Sequence, residues 1–208
     1  MTFRPVPALA LIGALVALAG CGGSSAATSD TTIATSTADA TAPTTTDPTS
    51  TDDASGLPKV KLVDGVYTPR DGSYTFRPNA SWDSGIDSDQ IYFATNSART
   101  HTITIASEPL DGLPANLKDY VDISLETAPD DINQFKLRSR TRITLPSGDK
   151  AERIEFTGSV EGSPLMHFLM IIATSSDTAV TETYATPNTD FAAAVKRVEP
   201  VLRTIDIR

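Results

Sequence analysis

The 208-residue sequence predicts one α+β domain that follows an export signal and a flexible tether. An apolar run close to the N-terminus ends at the single cysteine of the chain, Cys21. The next 35 residues contain almost no large apolar side chain. From residue 57 onward, alternating and continuous apolar patterns predict the element order β-β-β-α-β-β-β-β-α. These three observations divide the chain into residues 1–20, 21–56 and 57–208.

Residues 1–20 have the pattern of a secretory signal peptide. Arg4 supplies the positive start, and the apolar run from Ala8 to Ala19 is too short to span a bilayer comfortably. We therefore expect the chain to be exported and this segment to be removed.

The end of the apolar run resembles the lipobox of bacterial lipoproteins, with Leu18, Ala19 and Gly20 before Cys21. In that family the cysteine thiol is acylated and the chain is cut just before it. The resemblance implies a diacylglycerol and palmitate anchor on Cys21, and so a place on the extracytoplasmic face of the cell membrane. A plain signal peptide with a chance cysteine, or a buried apolar helix, is the alternative.

The segment that follows has the composition of a disordered tether. Residues 22–56 include eleven Thr, six Ser and five Asp, and their only large apolar side chain is Ile33. Such a segment cannot bury enough apolar surface to offset the entropy of ordering its backbone. Its coil dimensions would place the domain roughly 30–35 Å from the membrane.

The first half of residues 57–208 predicts three strands and a helix. The strands are Tyr74–Phe76, Ile91–Phe93 and His101–Ile105, the last with the alternation of a half-buried strand. Apolar residues then recur at helical spacing, with Pro114 suited to the first helical position and Pro129 expected to end the helix.

The second half predicts a hairpin and two further strands. Phe135–Leu145 runs into the turn Pro146–Asp149 and returns through Ile154 and Phe156. The continuously apolar segment Leu165–Ala173 indicates a strand covered on both faces. Ala179–Ala185 is its expected neighbour.

A second helix closes the chain. Phe191, Val195, Val198 and Leu202 form its apolar face, Asn188 or Thr189 can cap it, and Pro200 predicts a kink.

The sequence Tyr74-Thr-Phe-Arg-Pro-Asn-Ala-Ser-Trp82 resembles the Y-x-F-x-x-P-x-x-W opening of PsbP-like domains, with the proline one position earlier. The resemblance extends over residues 70–207 and implies an α/β/α sandwich with a central antiparallel sheet. Small actinobacterial lipoproteins related to LpqN are similar, with a lipobox, a Thr/Ser-rich tether and one such domain. Members of the PsbP-like family are mostly accessory or binding proteins, so the resemblance implies no catalytic residue.

Charge and composition exclude several classes of protein. The chain has 17 Lys+Arg against 26 Asp+Glu and a pI of about 4.6, which argues against a broadly basic nucleic-acid binder. One cysteine and two histidines are too few for a disulfide framework or a four-ligand Cys/His metal site. We expect no cofactor and no metal.

The sequence also lacks the common catalytic motifs. There is no G-x-S-x-G elbow, H-E-x-x-H, P-loop or dinucleotide-type glycine motif. His101 and His167 are the candidates for a general base, and both are better explained as strand histidines. The sequence therefore predicts a protein that is not an enzyme.

Two other groups of residues were considered as binding sites. Asp83, Asp87 and Asp89 could hold calcium, but their spacing is more typical of a solvated loop. The aromatic residues could line a pocket, although such residues are more often core; they are Trp82, Tyr74, Phe76, Tyr92 and Phe93.

Four cations occupy every second position in the predicted hairpin: Lys136, Arg138, Arg140 and Arg142. A regular strand projects such residues from one face, which predicts a basic stripe. A turn centred on Ser147-Gly148 would set Arg140 opposite Glu155 and Arg142 opposite Arg153. Because that like-charge pair costs stability, the stripe favours an anionic partner, with a solvated sheet face as the alternative.

These observations predict a membrane-anchored envelope lipoprotein without enzymatic activity. Its partner would be another envelope protein or an anionic envelope component, such as a phospholipid headgroup or wall polymer. The alternative is a lipid or glycolipid carrier with an interior apolar cavity. A third hypothesis, an enzyme, requires His101 or His167 close to a carboxylate in an open cleft.

Overall fold

A computed structural model describes residues 60–87, 90–94, 100–160, 163–187 and 191–208. The predicted signal peptide, lipobox, Cys21 and tether lie outside these ranges and stay predictions. So do the two candidate capping residues of the second helix, Asn188 and Thr189, and the third acidic residue of the predicted loop, Asp89.

The described chain forms nine strands and two helices. In chain order they are β1 (Tyr74–Thr75), β2 (Asp83–Asp87), β3 (Gln90–Ala94), β4 (Thr102–Pro109), α1 (Leu117–Asp131), β5 (Asn133–Thr144), β6 (Lys150–Ser159), β7 (Met166–Thr174), β8 (Thr178–Pro187), α2 (Phe191–Leu202) and β9 (Asp206–Ile207). Seven strands make one antiparallel sheet in the order β2-β3-β4-β8-β7-β6-β5, and β1 pairs with β9. The predicted α+β class with a central antiparallel sheet is confirmed.

Helices cover both faces of the sheet. We call the face that packs on α1 the α1 face, and the face that packs on α2 and the β1–β9 pair the α2 face. Strand β7 contributes alternate residues to the two cores: Phe168 and Met170 pack with α1, and Leu169 and Ile171 pack with α2. The prediction that Leu165–Ala173 contains a strand buried on both faces is confirmed.

Both predicted ends of α1 need correction. The helix begins at Leu117 rather than at Pro114, because the Asn116 side chain accepts a hydrogen bond from the Asp119 N–H at 2.9 Å and caps it. It continues through Pro129 to Asp131. A proline in the last turn forfeits only one helical hydrogen bond, so it does not stop the helix.

The acidic loop predicted after Trp82 is a strand in part. Asp83–Asp87 forms β2 and pairs antiparallel with β3. Asp and Gly have low strand propensity, and pairing with a neighbouring strand overrides that preference. The described residues contain no group of three or more His, Cys, Asp and Glu side chains placed to hold a metal ion. In the same ranges, no helix is both long and apolar enough to cross a bilayer.

Candidate functional site

The β5–β6 hairpin has a different register from the predicted one. Arg142 lies opposite Glu152 and Arg140 opposite Ile154, so the predicted pairs with Arg153 and Glu155 are wrong by one residue. The turn is a three-residue loop closed by Leu145 and Asp149, in which Gly148 has a φ of 100°. Such loops end in a left-handed residue, usually glycine, and this geometry sets the register.

The four cations of β5 do not form one stripe. A register shift lies between Leu137 and Ser139, so Arg138 sits at an irregularity in the strand. Lys136 lies opposite Thr157 and Arg140 opposite Ile154, and these two β6 residues, three apart, point to opposite faces. The prediction of a continuous one-face stripe is wrong because it assumed an unbroken strand.

Arg140 and Arg142 belong to an ion-pair network on the α1 face. Arg140 Nη1 lies 2.5 Å from Asp122 Oδ1 of α1, and its Nε lies 3.1 Å from Glu152 Oε2. Arg142 Nη2 reaches the other Glu152 oxygen at 3.0 Å. The hydrogen bonds that Arg140 and Lys118 donate to Asp122 lower the pKa of its carboxyl group. These arginines are therefore neutralised within the fold.

Lys136 and Arg138 differ from the other two cations. Both are exposed, and neither forms an ion pair with any residue that the structure describes. Leu137 between them is 43% exposed, and all three lie on β5, an edge strand of the sheet. We call Lys136, Leu137 and Arg138 the basic edge.

A cleft of about 370 Å³ opens on the α2 face. Its polar lining residues are Asn79, His101, Tyr184 and Arg197. Its apolar lining residues are Trp82, Ala194, Val198 and Val201. No local pattern in the sequence places Trp82 and His101 together, because they lie 19 positions apart with strands β2 and β3 between them.

A short turn delivers Trp82 to this cleft. The Asn79 side-chain oxygen accepts hydrogen bonds from the Ser81 N–H at 3.0 Å and from the Ser81 hydroxyl at 2.9 Å. The Trp82 N–H donates to the Asn79 carbonyl at 3.0 Å, which closes the turn. Trp82 is partly buried and packs against the core of the α2 face, so it contacts that core and also lines the cleft.

The other aromatic residues follow the expectation where they are described. Tyr74, Phe76 and Phe93 are buried in the core of the α2 face. The side chain of Tyr92 lies outside the described part of the structure.

His101 is held in the cleft by hydroxyl groups. Its Nδ1 lies 2.7 Å from the Tyr184 hydroxyl and 2.9 Å from Thr186 Oγ1. Both partners are fully buried in β8, so they fix the orientation of the imidazole ring. His167 lies on β7, where its ring stacks on Phe191 of α2 with centroids 3.6 Å apart. The structure thus places the two histidines at different points of the α2 face.

Glu182 is a third notable residue of the α2 face. It is fully buried in β8 between Ile105 and Ile171, and neither carboxyl oxygen has a hydrogen-bond partner among the described residues. Burial raises the pKa of this carboxyl group well above its ordinary value. The sequence signal was a lone acidic residue inside the predicted strand Ala179–Ala185.

Comparison with family models and with curated proteins finds no match. The fold is similar to that of PA94 from Pseudomonas aeruginosa, a protein of unknown function, with a TM-score of 0.51, 20% identity, and coverage of 69% of this chain and 96% of that one. It is also similar to the cyanobacterial PsbP protein CyanoP from Synechocystis sp. PCC 6803, with a TM-score of 0.52, 14% identity, and coverage of 78% and 100%. The domain therefore has a PsbP-like fold, as the sequence resemblance implied.

A more distant similarity is to LpqN, a protein involved in cell envelope biogenesis of Mycobacterium tuberculosis. The TM-score is 0.44 at 11% identity, over 64% of this chain and 82% of that one. At this distance the likeness supports no conclusion about the present chain, and its kinship with LpqN-related lipoproteins stays a prediction.

Proposed function

We propose that this protein is a lipid-anchored accessory protein of the cell envelope, without enzymatic activity, that binds an acidic segment of another envelope protein. The observation that supports this function most directly is the basic edge. Two of the four β5 cations are neutralised by Asp122 and Glu152, whereas Lys136 and Arg138 face solvent without an ion pair among the described residues. Cations left unpaired in an acidic domain are suited to an anionic partner.

The location of the basic edge favours an extended protein segment. Strand β5 has 12 residues and, among the described strands, pairs with β6 alone, so its other side presents backbone N–H and C=O groups. A partner segment can add to such an edge as a further strand, with alternate side chains recognised by the flanking residues. Exposed Leu137 offers an apolar contact between the two cations.

The overall charge argues against a flat anionic surface as the partner. The domain from residue 57 has 16 basic and 21 acidic side chains, so its net charge is −5. A membrane or wall polymer would be repelled by the net negative charge of the whole domain. A single strand would contact only the basic edge. A flexible tether that keeps the domain roughly 30–35 Å from the bilayer on average also places it, on average, several Debye lengths, each about 8 Å, from the headgroups.

The predicted anchor suits a weak interaction of this kind. An acylated Cys21 and a flexible tether confine the domain to a thin layer above the membrane. Confinement raises the effective concentration of a membrane-bound partner, so a contact of modest affinity suffices.

The alternative function, a lipid or glycolipid carrier, finds less support in the geometry. Both faces of the sheet are filled by packed cores, and half of the residues that line the cleft are polar. An acyl chain would need an apolar interior instead.

The experiment that tests partner binding places a photo-crosslinking amino acid at Leu137 in cells that produce the full chain. We expect crosslinks to an acidic segment of one envelope protein, identified by peptide mass spectrometry. Lys136→Glu with Arg138→Glu should reduce that crosslink at least about tenfold, since it turns local attraction into repulsion. Arg138→Glu with Arg140→Glu is a poorer test of partner binding, because Arg140 also forms ion pairs with Asp122 and Glu152 that stabilise the fold.

The matched control is Lys61→Glu with Arg70→Glu, two exposed cations outside β5 whose reversal changes the net charge equally. Equal loss in both double variants would show that net charge alone matters and would contradict the proposal. Crosslinks to lipid or to wall polymer, in place of protein, would contradict the proposed partner.

The anchor is tested separately by the mass of the intact chain extracted from membranes. We expect a diacylglyceryl group on Cys21, and an unmodified chain after Cys21→Ser. A wild-type chain without any acyl mass would contradict the proposed anchor. It would not affect the proposal for the basic edge, which the crosslinking experiment tests.

A further inference from the structure

The cleft on the α2 face contains a positive charge that no described residue neutralises. Arg197 of α2 is exposed, lines the cleft, and has no ion pair among the described residues. The described lining contains no Asp or Glu. Among the described lining residues, the cleft therefore presents the Arg197 guanidinium and the His101 imidazole, and a guanidinium favours an oxyanion.

The imidazole is also positioned in advance. His101 is fixed by the hydroxyl groups of Tyr184 and Thr186, at 2.7 and 2.9 Å, and those residues belong to a buried strand. A polar group whose orientation is set before binding loses little entropy when a ligand arrives.

The remaining wall is apolar. Trp82 forms one part of this wall. The other part is formed by three residues of α2, namely Ala194, Val198 and Val201. A few polar groups that converge in an otherwise apolar concavity are typical of small-molecule sites. The volume, about 370 Å³, is at the lower end of the roughly 300–1,000 Å³ found for such sites.

We propose that this cleft binds a small molecule with one carboxylate on a flat apolar body. The carboxylate lies against Arg197 and His101, and the apolar body lies against Trp82. Arg197 offers two parallel N–H donors that match a carboxylate, and the Trp82 ring offers a broad apolar surface. This site is separate from the basic edge, so it adds a ligand to the proposed function and does not depend on it.

Trp82 provides the measurement, because it is the only tryptophan in the sequence. The full chain is placed in lipid nanodiscs, which keep detergent out of the cleft, and titrated with phenylacetate and with its neutral analogue phenylacetamide. We expect a saturable change in Trp82 fluorescence with phenylacetate in the millimolar range, as suits so small a probe. Phenylacetamide should bind about tenfold more weakly because it lacks the charge.

Arg197→Met should reduce the preference for phenylacetate to less than about twofold. The matched control is Lys196→Met, which removes the neighbouring exposed cation of α2 that does not line the cleft, and its preference should equal that of the wild-type chain. Lys136→Glu with Arg138→Glu should also leave the titration unchanged.

Three results would overturn the proposal. They are the lack of a saturable response to phenylacetate, equal affinity for the two probes in the wild-type chain, and an unchanged preference in Arg197→Met. Circular dichroism of each variant shows whether the fold is intact. Should Arg197→Met fail to fold, His101→Gln provides the second test, with the same loss of preference expected.

Discussion

The two faces of the sheet are built by the same strands and yet differ in the polar and charged groups that they contain. On the α1 face, Phe156 stacks on Phe168 with centroids 4.7 Å apart and contacts Phe135 at 5.3 Å, and the charged groups at its margin are paired. On the α2 face, Glu182 is buried without a partner among the described residues, and Arg197 lines an open cleft. This difference supports the proposal that a ligand binds on the α2 face.

The coverage of each face explains the difference. A single 15-residue helix packs on the α1 face, and its exposed edge supplies Asp122 to the ion-pair network. The α2 face is covered by α2, by the β1–β9 pair and by the turn that ends at Trp82. Elements from distant parts of the chain meet there, and the cleft lies among them.

The largest effect that we predict is the loss of the aromatic stack on the α1 face. Phe156→Ala should lower the free energy of unfolding by about 3–5 kcal/mol, because Phe156 is fully buried and its removal leaves a cavity. Urea denaturation followed by circular dichroism measures this loss.

Trp82→Ala is the matched change on the α2 face. Although tryptophan is larger than phenylalanine, we expect a loss of only about 1–2 kcal/mol, since Trp82 is partly exposed at the cleft. Equal losses in the two variants would show that Trp82 is core and that the two faces are packed alike.

The next effect concerns the buried carboxyl group of the α2 face. Glu182→Met should raise the free energy of unfolding by about 1–3 kcal/mol near neutral pH, because it removes a buried polar group without a partner among the described residues. The gain should depend on pH. Burial raises the folded-state pKa of Glu182 above its ordinary 4.5, so the contribution of this group to stability is fully present below that pH and is lost as pH rises through the folded pKa.

Denaturation of both chains across the range from about pH 4 to pH 8 measures this dependence. Thr181→Val is the control, because Thr181 is a buried neighbour on β8 whose hydroxyl also has no partner among the described residues and does not titrate. A constant difference between wild-type and Glu182→Met chains over that range would mean that the carboxyl group ionises in the folded protein without penalty.

Local patterns predicted most of this architecture. The continuous apolar segment in β7, the Ile–Thr alternation in β4 and the apolar face of α2 all became the expected elements. Strands β2 and β9 were missed because Asp83–Asp87 and Asp206–Ile207 have weak strand patterns and depend on pairing with distant or neighbouring strands. Their existence is a property of the tertiary structure.

The candidate sites depend even more on tertiary structure, which local sequence patterns do not predict. A spacing of two identified the β5 cations, but the irregularity after Leu137 decides which of them point the same way. The glycine turn at Gly148 decides which β6 residues lie opposite them. The cleft requires Trp82, His101 and Arg197 to meet, and they come from three separate segments. No local pattern specifies that meeting, so folding alone brings them together.

The smallest predicted effect compares two arginines, one on each face. Arg140→Met should lower the free energy of unfolding, because Glu152 then loses one of its two guanidinium partners. We expect a loss of only about 1 kcal/mol, since the Arg140 side chain is a quarter exposed and solvent weakens its ion pairs. The substitution should also raise the pKa of Asp122, which a carboxyl NMR titration measures, because the Arg140 hydrogen bond is the main cause of its depression. Arg197→Met should change stability by less than about 0.5 kcal/mol. If Arg197→Met proved the more destabilising of the two, Arg197 would be a structural cation, and the cleft would lose the group proposed to bind its carboxylate.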